Sequence, residues 1–153
     1  MDVWRICEAR HAATAFKGIG AEMTGGRWNP IGYKVVYTSS TLTLAKLEFF
    51  VQLTSRDAPD DLVYIMATVP DDVSQEEIRL SQLPKGWTAY PATRTTKNRG
   101  TDWLKQGKSL ILSVPSAVTP EERNFLINPL HPEFKRLSIA KPVPLRFDRR
   151  MWK

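Results

Sequence analysis

The 153-residue chain has one cysteine, Cys7, and two histidines, His11 and His131. A single cysteine excludes an internal disulfide and fits a reducing compartment. With so few soft ligands, no spacing suggests a structural zinc site, and no metal is expected. No apolar run approaches the ~18 residues that span a bilayer. The opening MDVWRICEARH lacks the basic-then-apolar order of a secretory signal. These absences point to a cytoplasmic protein with no membrane role. Repeats, low-complexity tracts and linkers are also missing, so one domain over residues 1–153 is expected.

What is there reads as globular: 42% of residues are hydrophobic and 25% charged. The net charge of +6 attracts anions, whether nucleic acid, phosphorylated metabolites or an acidic partner protein. Its basic residues are scattered, RFDRR near the C-terminus being the densest run, so charge alone does not choose among them.

DVWRIC reads as a first strand, with Val3, Arg5 and Cys7 on one face and Trp4 and Ile6 on the other. Residues 8–26, rich in Ala and Gly, suggest a loop with a short helix. KVVYTS (34–39), LVYIMATV (62–69) and SLILSV (109–114) are strand-like, and further strands are expected near 135–140 and 143–149. Ser40 or Thr41 can cap a helix over about 42–53, and a short helix is expected around Trp103. In VTPEERNFLINP, Thr119 as cap, Pro120 at the first helical position and Glu122 in a capping box predict a helix that Asn128-Pro129 stops. Strands and helices mix without a regular βαβ rhythm. The expected class is α+β, with a mixed, largely antiparallel sheet.

Two phosphate-binding motifs nearly fit and fail. QGKS (106–109) resembles the end of a P-loop, yet Asp102 stands where the first glycine is needed, and a strand follows instead of a helix. GIGAEMTGG has Met23 at the third glycine of a dinucleotide fingerprint. Nor does any G-x-S-x-G mark a nucleophile elbow.

Glu48 is the anomaly. Its helical neighbours Leu44, Ala45, Val51 and Gln52 offer no cation, and the remaining arcs carry Leu42, Leu47, Phe49, Phe50 and Leu53. A helix apolar nearly all round is usually buried, where an unpaired carboxylate costs several kcal/mol. Either the helix is more exposed than its pattern suggests, or Glu48 faces a polar cleft. Arg27 after the double glycine, Arg5 on the first strand and Tyr37 on the second are candidate partners. An arginine fork suits phosphate oxygens and a phenol ring suits stacking. Read singly, each arginine more often serves an internal ion pair and such a tyrosine a core edge.

The run GGRWNPIGYKVVYTSSTLTLAKLEFF, with VWRI before it and VPSAVTPEERNFLINPLHPEF after it, resembles the RES-domain family over essentially the whole chain. Members of that family are commonly toxins of RES–Xre toxin–antitoxin pairs. The resemblance implies an ADP-ribosyltransferase-like fold and NAD+ as substrate, consumed by hydrolysis, phosphorolysis or transfer of ADP-ribose to a protein. It maps the family arginine, tyrosine, glutamate and serine onto Arg27, Tyr37, Glu48 and Ser116. Arg5 matches an arginine lining the site, and Asn128 a recurring asparagine. The implied roles are Glu48 stabilising the ribosyl cation, Tyr37 stacking on nicotinamide or its ribose, and Arg5 and Arg27 holding the pyrophosphate. Ser116 would bond that ribose or position Glu48, and Asn128 would either contact ligand or end a helix. An Xre-family DNA-binding antitoxin is the implied partner, with no direct nucleic-acid binding. A competing reading is a basic RNA-binding or RNA-cleaving toxin that stacks bases on Trp28, Tyr33 or Trp87.

Overall fold

A computed structural model describes residues 1–54 and 59–152. Its strands are β1 (Asp2–Glu8), β2 (Val36–Ser39), β3 (Leu62–Thr68), β4 (Gln75–Glu77), β5 (Ile111–Pro115), β6 (Arg123–Ile127), β7 (Ser138–Ile139) and β8 (Val143–Pro144). Among the described residues three α-helices accompany them: α1 (Ile19–Thr24), α2 (Leu42–Phe50) and α3 (Arg94–Gln106). The strands form one sheet in the order β4-β5-β6-β2-β1-β3-β7, with β8 pairing beside β7 on β3. Every pairing is antiparallel except β4 with β5, so the expected α+β class with a mixed, largely antiparallel sheet holds.

Alternation along the strands sorts the core onto two faces. On one, Val3, Cys7, Val36, Val63, Ile65, Ala67, Ile111 and Ile127 pack together. The other face carries two separate clusters. Trp28, Val35, Trp87 and Trp103 cover Leu112, Val114 and Leu126, while Ala45 of α2 sits on Ile6, Leu62 and Leu145. The seam between these clusters is where the polar residues discussed below collect.

The capped helix starts where expected, with the Leu44 amide donating to Thr41 Oγ1 at 3.0 Å. Its unusual pattern has a packing reason. Leu44 and Ala45 are buried inward, whereas Phe49 stacks on Phe147 at 6.1 Å and Phe50 meets Trp152 edge-on at 5.3 Å. The C-terminal segment thus covers the outer face. Losing the cap in Thr41→Ala should cost about 1 kcal/mol, read as a lower urea midpoint with unchanged slope.

The helix expected after Thr119 is instead a turn and a strand. The Glu122 amide donates to the Thr119 carbonyl, closing a turn, and RNFLI runs as β6 between β5 and β2. Without it both neighbours would carry open edges, and its Leu126 and Ile127 are fully buried. Two ladders and a core outweigh a capping signal worth about 1 kcal/mol. The helix around Trp103 is longer than expected, at 94–106. The C-terminal strands are cut to two residues each, followed by a 3-10 turn at Arg149–Trp152. No helix among the described residues is long and apolar enough to cross a membrane.

Candidate active site

Glu48 reaches the seam from α2. Its Oε1 accepts from Ser116 Oγ at 2.7 Å and from Asn124 Nδ2 at 2.6 Å. Ser116 follows the last residue of β5 and is fully buried. Its hydroxyl also accepts from the amides of Val118 and Thr119, both at 3.1 Å. A hydroxyl has two acceptor positions and one proton. Both positions are filled by amides, so the proton must point at Glu48.

Arg27 stands at the tip of a tight turn in which the Gly26 amide donates to the Asn29 carbonyl at 2.9 Å. Gly26 is required there, since a Cβ would lie 2.6 Å from the Tyr37 hydroxyl oxygen. That hydroxyl pins the turn: it donates to Asn29 Oδ1 at 2.6 Å and accepts from the Trp28 amide at 3.0 Å. Asn29 in turn donates to the carbonyls of Ala21, Pro30 and Tyr33. The Arg27 guanidinium is steadied by the carbonyls of Trp87 and Ala89, at 2.8 and 2.9 Å through Nη1. Burial draws its pKa below the ordinary value, while the nearby Glu48 carboxylate and then the Tyr37 phenol oppose that shift. Arg27 and Glu48 therefore share a field, yet among the described residues they form no direct ion pair.

Arg5 lies close by in a different way. Its Nη1 donates to the Tyr37 carbonyl at 3.0 Å, and among the described residues its buried Nε has no hydrogen-bond partner. Burial lowers its pKa, partly opposed by Cys7. A buried cation with no carboxylate partner among the described residues can accommodate an anion.

The structure thus brings Glu48 and Ser116 into contact, sets Arg27 and Tyr37 beside them, and ties Arg5 to the Tyr37 main chain. It does not bring Asn128 there. That residue follows the end of β6, where its Oδ1 accepts from the Leu130 amide at 3.0 Å in a turn. Four residue steps separate it from Asn124, about 13 Å at strand spacing. Sequence reasoning missed Asn124, Ser39 and Asn29. Read as a strand, RNFLI would have placed Asn124 on the same face as Leu126 and hence Tyr37. The groove lined by Gln75, Glu77, Arg79, Ser113 and Arg123 lies elsewhere, on the far side of the sheet.

Tyr37 is more than a stacking surface. Burial raises its pKa, with the Trp28 amide and then Arg27 opposing. An unfolded phenol ionises near pH 10, whereas the folded one keeps its proton. Above that pH the unfolded state binds fewer protons, so stability falls as pH rises. Tyr37→Phe should cost about 1–3 kcal/mol at neutral pH by orphaning the Trp28 amide. In denaturation series it should also flatten part of the alkaline loss.

A mixed-sheet domain with a carboxylate, an arginine and a phenol at one seam, and a second arginine tied to the phenol's main chain, matches known proteins. The family described as RES domain matches residues 2–148, and the chain belongs to that family. It is 41% identical over 152 residues to the Prs ADP-ribosylating toxin of Sphingobium sp. (strain YBL2), spanning 97% of this chain and 94% of that protein. It is 35% identical to Toxin Res of Yersinia enterocolitica, with 99% of each chain covered. A solved structure, the crystal structure of the M. tuberculosis MbcT-MbcA toxin–antitoxin complex, superposes with a TM-score of 0.76. That match covers 99% of this chain and 86% of the other at 16% identity, so it speaks for the fold alone.

Proposed function

We propose that the chain is a bacterial toxin that cleaves the nicotinamide–ribose bond of NAD+ in the cytoplasm and is neutralised by a DNA-binding antitoxin of the Xre family. The observation that carries this reading is the Glu48 carboxylate. Oε1 is engaged by two donors, and Oε2 has no hydrogen-bond partner among the described residues. Breaking the bond sends its electron pair to the pyridinium ring, and nicotinamide leaves neutral. Positive charge develops on C1′ and the ring oxygen of the ribose. A fixed carboxylate stabilises that charge without reorganising. Arg5 and Arg27 supply the cations for the pyrophosphate, and Tyr37 lines the nicotinamide end. A nucleophile then adds to C1′ and gives up a proton.

Water or phosphate as nucleophile makes the chain a consumer of NAD+. A second reading, transfer of ADP-ribose to a protein, is favoured by the 41% identity to a toxin named for ADP-ribosylating Prs. The RNA reading loses support, because Trp28 and Trp87 are 3% and 7% exposed and pack on each other.

One assay separates the three. Purified protein is mixed with NAD+ and bulk RNA, with and without phosphate and a cell extract. Nicotinamide release with intact RNA is expected. ADP-ribose or its 1″-phosphate in solution identifies water or phosphate as acceptor, and label on an extract protein identifies transfer. Degraded RNA beside intact NAD+ would overturn the proposal.

A further inference from the structure

Glu48 does not hold its own orientation. Half-buried on a helix whose neighbours are apolar, it has one oxygen fixed by groups from two distant strands. Asn124 and Ser39 are direct partners across the β2–β6 ladder. Ser39 Oγ, buried at 4% exposure, donates to Asn124 Oδ1 at 2.8 Å. With its carbonyl oxygen so occupied, the Asn124 amide must present Nδ2 to Glu48. The polarity runs one way from Ser39 through Asn124 to Oε1, and meets the Ser116 proton arriving from the other side.

We propose that Asn124, oriented by Ser39, is a positioning residue that fixes the Glu48 carboxylate with Oε2 facing the reacting ribose. The inference rests on the NAD+-cleavage reading for the ribose and for its kinetic test. It gives Ser116 and Asn124 matching tasks. Neither is free to attack the sugar, and together they hold Oε1 so that the second oxygen meets the developing cation. A hydrogen bond to a charged group contributes about 1.5–3 kcal/mol. Losing it in the transition state should lower kcat about 10- to 100-fold.

The charged groups facing this point are Glu48 from α2 and Arg27 from the Gly26–Asn29 turn. Asn124→Asp places a second carboxyl against Oε1. Carrying a proton, the new carboxyl donates as the amide did. Once both groups are ionised they repel, and Glu48 is displaced. The variant should therefore cleave NAD+ at low pH and lose kcat as pH rises through that ionisation, a limb the parent lacks.

The experiment measures nicotinamide release against pH for the parent, Asn124→Ala, Asn124→Asp and Ser39→Ala, with circular dichroism as the folding control. The expected result is a 10- to 100-fold drop in kcat with a smaller change in KM for Asn124→Ala. A smaller drop for Ser39→Ala and the new pH limb for Asn124→Asp complete the pattern. Parental kcat in Asn124→Ala, or an unchanged pH profile in Asn124→Asp, would overturn the inference while leaving NAD+ cleavage intact. If the parent releases no nicotinamide, the cleavage reading falls instead. Crystal structures of Asn124→Ala then decide the positioning role: a displaced Glu48 supports it, and an unmoved carboxylate refutes it.

Discussion

Glu48→Gln is expected to release nicotinamide about 100- to 1,000-fold more slowly than the parent, a loss of about 2.7–4 kcal/mol of transition-state stabilisation. The substitution is unusually clean here. A glutamine keeps an oxygen that can accept from both Ser116 and Asn124, so the local bonds survive. Only the charge disappears, along with the ability of the second position to face a cation. Binding of NAD+ should therefore change less than turnover. Because Glu48 also partners Arg27 electrostatically, a modest shift in KM is compatible with this account, whereas parental kcat is not. Ser116→Ala should fall between Glu48→Gln and the parent, since it removes one of two donors.

The second large effect lies outside the site. A Cβ added at Gly100 of α3 would stand 1.7 Å from the Trp28 carbonyl oxygen and 2.7 Å from its carbon. Both atoms are main chain, so no flexible side chain can yield. Gly100→Ala must push α3 away from the turn that carries Arg27, and open the cluster of Trp28, Trp87 and Trp103. Overpacking commonly costs 1–3 kcal/mol and more when backbone is involved, so about 3 kcal/mol or above is expected. For a chain of this size that lowers Tm by roughly 6–12 °C. Gly20 of α1 supplies the control. Nothing lies within 4 Å of its added Cβ, and Gly20→Ala should be neutral or slightly stabilising, by up to about 1 kcal/mol. Thermal melts of the two variants side by side check the contrast. If Gly100→Ala melted with the parent, the close approach of α3 to the Arg27 turn would be wrong.

Much of the fold was legible because the information was local. The β3 and β5 segments announce themselves as apolar runs and β1 by its alternation, and α2 begins after a threonine that does cap it. What stayed hidden depends on partners far along the chain. The QEE of β4 has no apolar side chain and is a strand only because β5 offers it an edge. RNFLI follows the cues of a helix start, and becomes a strand because a slot exists between β5 and β2. That misreading also concealed Asn124, whose role follows from its pairing with Ser39 and from nothing in its own neighbourhood. Glu48 was visible as a physical contradiction, a lone acid among apolar residues. Arg5, Arg27 and Tyr37 were candidates by position, but only the family resemblance selected them over internal roles, and Ser116 came from the resemblance alone. The structure adds what spacing cannot: Tyr37 ties down the Arg27 turn, and Ser116 spends its only proton on Glu48.

The charge on the reacting sugar is accessible to measurement. NAD+ carrying tritium at C1′ of the nicotinamide ribose, mixed with unlabelled NAD+ and partly consumed, reports how that carbon rehybridises. If a cation forms against Glu48, the residual NAD+ becomes enriched in tritium, because the loosening C–H bond favours the lighter isotope. Residual NAD+ with unchanged isotope content, or NAD+ that is not consumed at all, would contradict the account.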